Sequence, residues 1–399
     1  MHINLLDPAT FAKGHPLDQY TWLQDNAPVY WHEEPDGAGF WALTRYDDVA
    51  DVGRQPNLFS AQPTVMIPDP DAANLASMTD DHKMMLMMDP PQHTQFRRII
   101  SKQFTHGAAA QIHPRVGELA AQIIDNVIRR GECEFVSEVA GELPSYVIAE
   151  LTGIPLQDGR ELYKLTEIIH TAPEALQPDE QANAIGAMFS YAQDVYKQKL
   201  DKPTDDLASQ IVHAEVDGRS LDEIDFQLFF MLLIDAGGDT TRNLVAGGLH
   251  ELIQHPDCLQ DWQDHACTEL NASAREELLR VVSPVIYFRR TAVRDIELHG
   301  TTIKQGDKVV RYFAAANRDK RRFEAPQQLD LHRFPNEQIA FGTGSHVCLG
   351  QHIARVEIDC ICSEILSRMT DFALAEEPQW LASNFISGIR HMPITFRAR

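Results

Sequence analysis

The chain has 399 residues, of which 44% are hydrophobic and 23% charged, with a formal net charge of −23. That balance describes a globular protein with a large core, and the acidic surplus excludes non-specific binding to nucleic acid or to an anionic membrane, both of which need cationic patches. The first twenty residues hold no apolar stretch of signal-peptide length, and the longest apolar run, Leu228–Ile234, is far short of a membrane span. The expectation is a cytoplasmic protein without a membrane segment. Six cysteines, Cys133, Cys258, Cys267, Cys348, Cys360 and Cys362, form no CxxC pair and no zinc-like spacing. Each is first a small buried hydrophobe.

In chain order, a short strand is expected at Phe40–Leu43, then helices over Pro91–Phe104 and Gly107–Arg130. A long helix follows over Ser220–His255 and another over Ser273–Val282, with capping boxes at Ser220/Glu223 and Ser273/Glu276. Pro256 and Pro284 lie just past their ends, where proline stops a helix. Strands are expected at Ile296–Leu298 and Lys308–Tyr312, then a helix over Leu349–Met369 and an extended tail near Phe385–Phe396. No repeat, low-complexity tract or long linker divides the chain. The fold class is mainly α with small β-sheets, in a single domain over 1–399.

The most informative stretch is Phe341-Gly342-Thr343-Gly344-Ser345-His346-Val347-Cys348-Leu349-Gly350. Glycines around one cysteine, just before an amphipathic helix, make a tight loop that can aim N–H groups and a helix dipole at the sulfur. Both effects favour a thiolate, suited to a nucleophile or a metal. The pattern F-G-x-G-x-H-x-C-x-G resembles the haem-binding signature of the cytochrome P450 family. That resemblance implies a long central helix over haem b and a cysteine-ligand loop beneath it. Cys348 would be the axial ligand and the metal-binding residue, His346 a propionate contact, and Phe341 packing near the sulfur, with Gly342 and Gly350 shaping the loop.

Four more segments fit in order. Ala236-Gly237-Gly238-Asp239-Thr240-Thr241 places two glycines mid-helix, each costing about 1 kcal/mol relative to alanine. It resembles the family's A-G-x-[D/E]-T-[T/S] segment, in which the threonine bonds the carbonyl four residues back, here Ala236. Asp239 and Thr240 would then relay protons as the catalytic pair. Glu277-Leu278-Leu279-Arg280 is similar to the family's E-x-x-R, with Arg333 as its structural partner. In Asp89-Pro90-Pro91-Gln92-His93-Thr94-Gln95-Phe96-Arg97-Arg98, His93 and Arg97 share one helix face and would clamp haem propionates. Arg290 of Arg290-Thr291-Ala292 would be a further propionate ligand, with Arg289 as the alternative. Arg311, in an otherwise apolar strand, has no account in the sequence.

Family anatomy implies substrate contacts from Pro63–Met88, Ile168–Phe189, the residues before Ala236, Val282–Ile286 and Phe385–Gly388. These are mainly apolar, and Met84, Met85, Met87 and Met88 suit an adaptable surface. Pro203–Leu207, Glu215–Gly218 and Asn384–Gly388 are similar to members acting on steroid side chains and on terpenoid or branched lipids. The implied activity is hydroxylation of a lipophilic small molecule with O2 by a monomer. A peroxygenase that needs no relay and a haem-bound lipophile sensor are the alternatives. Electrons would come from a [2Fe–2S] ferredoxin and a flavin reductase. Arg318, Lys320, Arg321 and Arg322, with Arg97 and Arg98, are expected to form its docking patch.

Overall fold

The computed structural model describes residues 1–69, 82–171, 176–265 and 270–399. Cys267, and parts of the expected substrate segments 63–88 and 168–189, lie outside them.

Helix Glu223–Gln254 runs 32 residues through the molecule and is buried on every side, as its lack of a polar face requires. Helices Glu142–Thr152, Leu156–His170 and Glu180–Asp201 pack on it, as do Leu270–Val282 and Gln351–Arg368. A Cβ on Gly237 would stand 3.1 Å from Ile148, and one on Gly238 would stand 3.4 Å from Tyr163. The paired glycines therefore let two neighbouring helices approach closely, which helps offset their propensity cost.

The expected caps are corrected. The long helix is capped by Asp222, whose carboxylate accepts from the N–H groups of Ile224 and Asp225 while Asp225 returns to the Asp222 N–H. Ser220 lies before it in a two-stranded ribbon with Glu215–Val216. An aspartate caps as well as a serine, and a D-x-x-D box escapes a search for S/T-x-x-E. Ser273 is inside a helix already present at Leu270, and its hydroxyl donates back to the Leu270 carbonyl. Pro256 follows the long helix but also opens the next, Pro256–Asp264, at a position where its missing N–H costs nothing.

All three short strands form. The five-stranded sheet has the order Val29–His32, Phe40–Leu43, Lys308–Tyr312, Tyr287–Ala292, Phe59–Ser60, with a parallel pairing of Lys308–Tyr312 on Phe40–Leu43. Ile296–Leu298 pairs with Thr301–Ile303. The tail forms Ile389–His391 and Pro393–Ala398, the latter between Met369–Leu374 and Glu132–Glu134.

Candidate active site

The cysteine loop is held from several directions. The Cys348 N–H donates to the Phe341 carbonyl at 2.8 Å, closing the loop. Gly342 and Gly344 take φ of +73° and +78°, where a side chain would be strained. At Gly344 a Cβ would also fall 1.8 Å from the Gly53 carbonyl oxygen, so the loop lies directly on helix Tyr46–Arg54. Helix Gln351–Arg368 starts immediately after Gly350, whose Cβ would sit 3.9 Å from the sulfur. Phe341 lies under the Arg355 guanidinium, 4.6 Å from the ring centre.

Burial pushes the Cys348 thiol up, against the Gly350 and Gln351 amides and the Arg97 and Arg355 charges, which pull it down. The net direction is upward. The loop amides favour the thiolate, as expected, but against a larger desolvation penalty. Metal coordination is what displaces the remaining proton.

Arg311 belongs to this assembly. It is fully buried, donates from Nε to the Val49 carbonyl at 2.9 Å and from Nη2 to the Thr343 hydroxyl at 3.1 Å. Thr343 in turn donates to the Ala50 carbonyl at 2.8 Å. The odd cation in the strand thus ties the cysteine loop to its neighbouring helix.

His93, Arg97, His346 and Cys348 line one cavity of about 1470 Å³, its mouth included, together with Ala236 and Thr240. The His93 and His346 rings stack at 3.9 Å, and burial lowers them to about 4 and about 2. His93 Nδ1 and His346 Nε2 are buried without a partner. Arg97 donates to the Val347 carbonyl at 2.7 Å but meets no carboxylate among the described residues. Arg290 is buried too, and among the described residues its side chain bonds the Arg289 carbonyl alone, at 2.8 Å. Arg289 differs: it pairs with Asp69 at 2.6 Å and with the Ile67 carbonyl. Of the two neighbours, Arg290 is therefore the one left for an external anion. Cations and imidazoles that contact no carboxylate among the described residues, near a buried sulfur and a largely apolar void, fit a macrocycle that carries two carboxylates and an iron.

On the opposite wall, the Thr240 hydroxyl donates to the Ala236 carbonyl at 3.0 Å, as expected. Asp239 is buried beside it and accepts from Asn243 Nδ2 at 3.0 Å. Glu357, which no sequence motif marks, is buried with its carboxyl pushed up to about 8 by desolvation, and it accepts from the Thr241 hydroxyl. Met85 and Leu86 line the cavity, as do Leu232, Leu233, Pro284 and Val285. Met88 is in the core instead, and Phe385 packs its ring on Tyr287.

Glu277 accepts from Arg280 at 2.8 Å through both oxygens and from Arg333 Nε at 3.0 Å. Arg280 also reaches the carbonyls of Asn317, Pro326 and Gln328, locking the strand-to-cysteine segment to the helix.

The expected docking patch is corrected. Arg318 is buried and donates to the Val281 carbonyl at 3.1 Å. Lys320 and Arg321 pair with Asp25, and Arg322 pairs with Glu337. Proximity in sequence did not distinguish surface cations from one consumed by buried carbonyls.

The cytochrome P450 family model matches residues 163–379. A steroid C26-monooxygenase of Mycobacterium tuberculosis is 33% identical, over 98% of this chain and 92% of the relative. A methyl-branched lipid omega-hydroxylase of the same species is 36% identical, over 90% of this chain and 85% of the relative. Among solved structures, a Mycobacterium marinum cytochrome P450, CYP268A2, in complex with pseudoionone superposes with a TM-score of 0.92 at 33% identity, covering 99% of each chain. The cofactor that fits the site is accordingly haem b, and the chain belongs to the cytochrome P450 family of haem-thiolate monooxygenases.

Proposed function

We propose that this enzyme hydroxylates a steroid or methyl-branched lipid, with electrons from a [2Fe–2S] ferredoxin served by a flavin reductase. The observation that carries the substrate class is the apolar wall of the cavity, where Met85, Leu86, Leu232, Leu233, Val285 and Phe288 face the same space as Thr240. Such a wall selects by shape and area rather than by hydrogen bonds. The names of the two mycobacterial relatives support the same class.

Haem b, when bound, would supply an iron able to activate dioxygen, and Cys348 would hold that iron through its sulfur. His93, Arg97, Arg290 and His346 would hold its propionates. The Ala236 carbonyl accepts the Thr240 hydroxyl at 3.0 Å, and dioxygen would bind beside that pair. Asp239 and Thr240 deliver protons there. For the ferredoxin, the exposed Arg98 and Lys102, beside the cysteine loop's Arg97 contact and without ion-pair partners among the described residues, replace the neutralised group. Their charge would speed association with an acidic partner at low salt.

The test is titration of the holoprotein with steroids and methyl-branched fatty acids, followed by product analysis in a reconstituted system. A spin-state shift and a hydroxylated product from either class are expected. No shift with any member of both classes overturns the substrate assignment.

A further inference from the structure

Helix Leu156–His170 ends against the long helix on a histidine that none of the chemistry above uses. His170 Nε2 lies 3.0 Å from Asp235 Oδ1, and its Nδ1 lies 3.2 Å from Asp239 Oδ2. The two aspartates are one helical turn apart on one face, so a single imidazole spans them. Their surroundings differ: the Asp235 side chain is 30% exposed, that of Asp239 only 1%. Asp235, His170 and Asp239 thus form a line running inward from a partly exposed carboxylate, and Thr240, the next residue after Asp239, lines the cavity.

Other charges around this line are already matched. Arg242 Nη1 lies 3.0 Å from Glu167 and 4.0 Å from Asp239 Oδ1, and it stacks on Tyr163. Glu167 is shared with Arg390 at 2.9 Å. Asn243 Nδ2 donates at 3.0 Å to the same Asp239 oxygen that meets His170, and the Phe385 ring meets the imidazole edge-on. Among the described residues, His170 is the group between the two aspartates that can both carry a proton and release it. An arginine in its place would hold Asp239 but keep its protons at any working pH.

We propose that His170 is the positioning residue that recharges Asp239 with protons drawn from water at Asp235. In each delivery the Nδ1–H bond breaks and an O–H bond forms on Asp239, converting imidazolium and carboxylate into imidazole and carboxylic acid. The ring then turns about Cβ–Cγ so that its free nitrogen faces Asp235, where a proton from water restores the imidazolium. The Nε2–Asp235 Oδ1 contact, at 3.0 Å, is a close ion pair. Burial alone would lower His170, but the two carboxylates outweigh it and hold it well above its ordinary value. The charged form therefore dominates below that raised value and is lost as pH rises through it. The proposal rests on the oxidation proposed above only in its turnover arm.

The test has two arms. In the reduced, carbon monoxide-bound holoprotein labelled with 15N-histidine, the signal lost in His170→Gln should show both ring nitrogens protonated near neutral pH. A neutral imidazole there overturns the proposal, and this arm needs no substrate, so it stands whichever lipid is oxidised. In turnover, His170→Gln should divert electrons to peroxide by about tenfold, within the span of a general acid–base contribution, and should abolish the loss of coupling at high pH. His170→Arg, which keeps the ion pair, should uncouple equally. Full coupling in either variant, or recovery by arginine alone, would make His170 a clamp and sink the relay.

Discussion

Glu277→Gln removes one charge at constant volume from the most heavily bonded carboxylate among the described residues. Glu277 accepts five hydrogen bonds: two from Arg280, and one each from Arg333 Nε, Asn336 Nδ2 and the Asp330 N–H. A glutamine turns one acceptor into an NH2 donor facing guanidinium donors, and leaves Arg280, whose side chain is 0% exposed, without its counter-charge. Breaking a buried pair in this way costs about 3–5 kcal/mol. Arg280 keeps three carbonyl partners, which places the expected loss near the lower end, about 3 kcal/mol, still a large share of a typical folding stability of roughly 5–15 kcal/mol. The neighbouring Glu276→Gln is the control. Glu276 pairs with Arg355 and Arg275 but is partly solvated at 20% side-chain exposure, so its loss should stay below about 1 kcal/mol. Guanidinium denaturation of both variants, with haem content per chain, measures the difference. Burial raises the Glu277 carboxyl, but Arg280 and Arg333 outweigh it and the net shift is downward. Its contribution is therefore present above the ordinary carboxylate range and lost as pH falls through the lowered value, so the gap to Glu277→Gln should close in acid. Equal stabilities of the two glutamine variants at neutral pH would refute this reasoning.

Arg290→Ala should accelerate haem loss to a scavenging apoprotein by about tenfold or more, as a lost charge-assisted pair implies, whereas Arg289→Ala should leave that rate unchanged because Arg289 is bound to Asp69. Gly344→Ala should fail to accumulate as haem-bound protein, since its Cβ would overlap the Gly53 carbonyl at 1.8 Å; expression at wild-type yield would contradict the close approach. Thr240→Ala should retain haem and substrate affinity while converting most of the electrons consumed into peroxide, and full coupling would remove the hydroxyl from the proton path.

The parts of the site legible in the sequence are those written in short spacings. The loop around Cys348, the i,i+4 pair His93 and Arg97, and Glu277 with Arg280 are each set by local geometry, and the structure brings them together as their spacing implied. Arg333 was legible only through the family resemblance, because its bond to Glu277 crosses 56 positions. Arg311 and His170 left no signal: one finds its purpose in a loop 32 residues away and the other in a helix 69 residues away. Arg318 misled because a cation beside other cations looks solvated until the carbonyls of Val281 and Pro326 surround it. The cap of the long helix erred by two positions, since serine and aspartate compete for one role and the winner depends on where the preceding chain arrives.

The reduced, carbon monoxide-exposed absorption spectrum of the purified holoprotein tests the central claim most directly. Thiolate ligation by Cys348 predicts the strongly red-shifted Soret band of such an iron, and Cys348→Ser should abolish it. A band typical of histidine ligation, or a red-shifted band that survives in Cys348→Ser, would contradict the account.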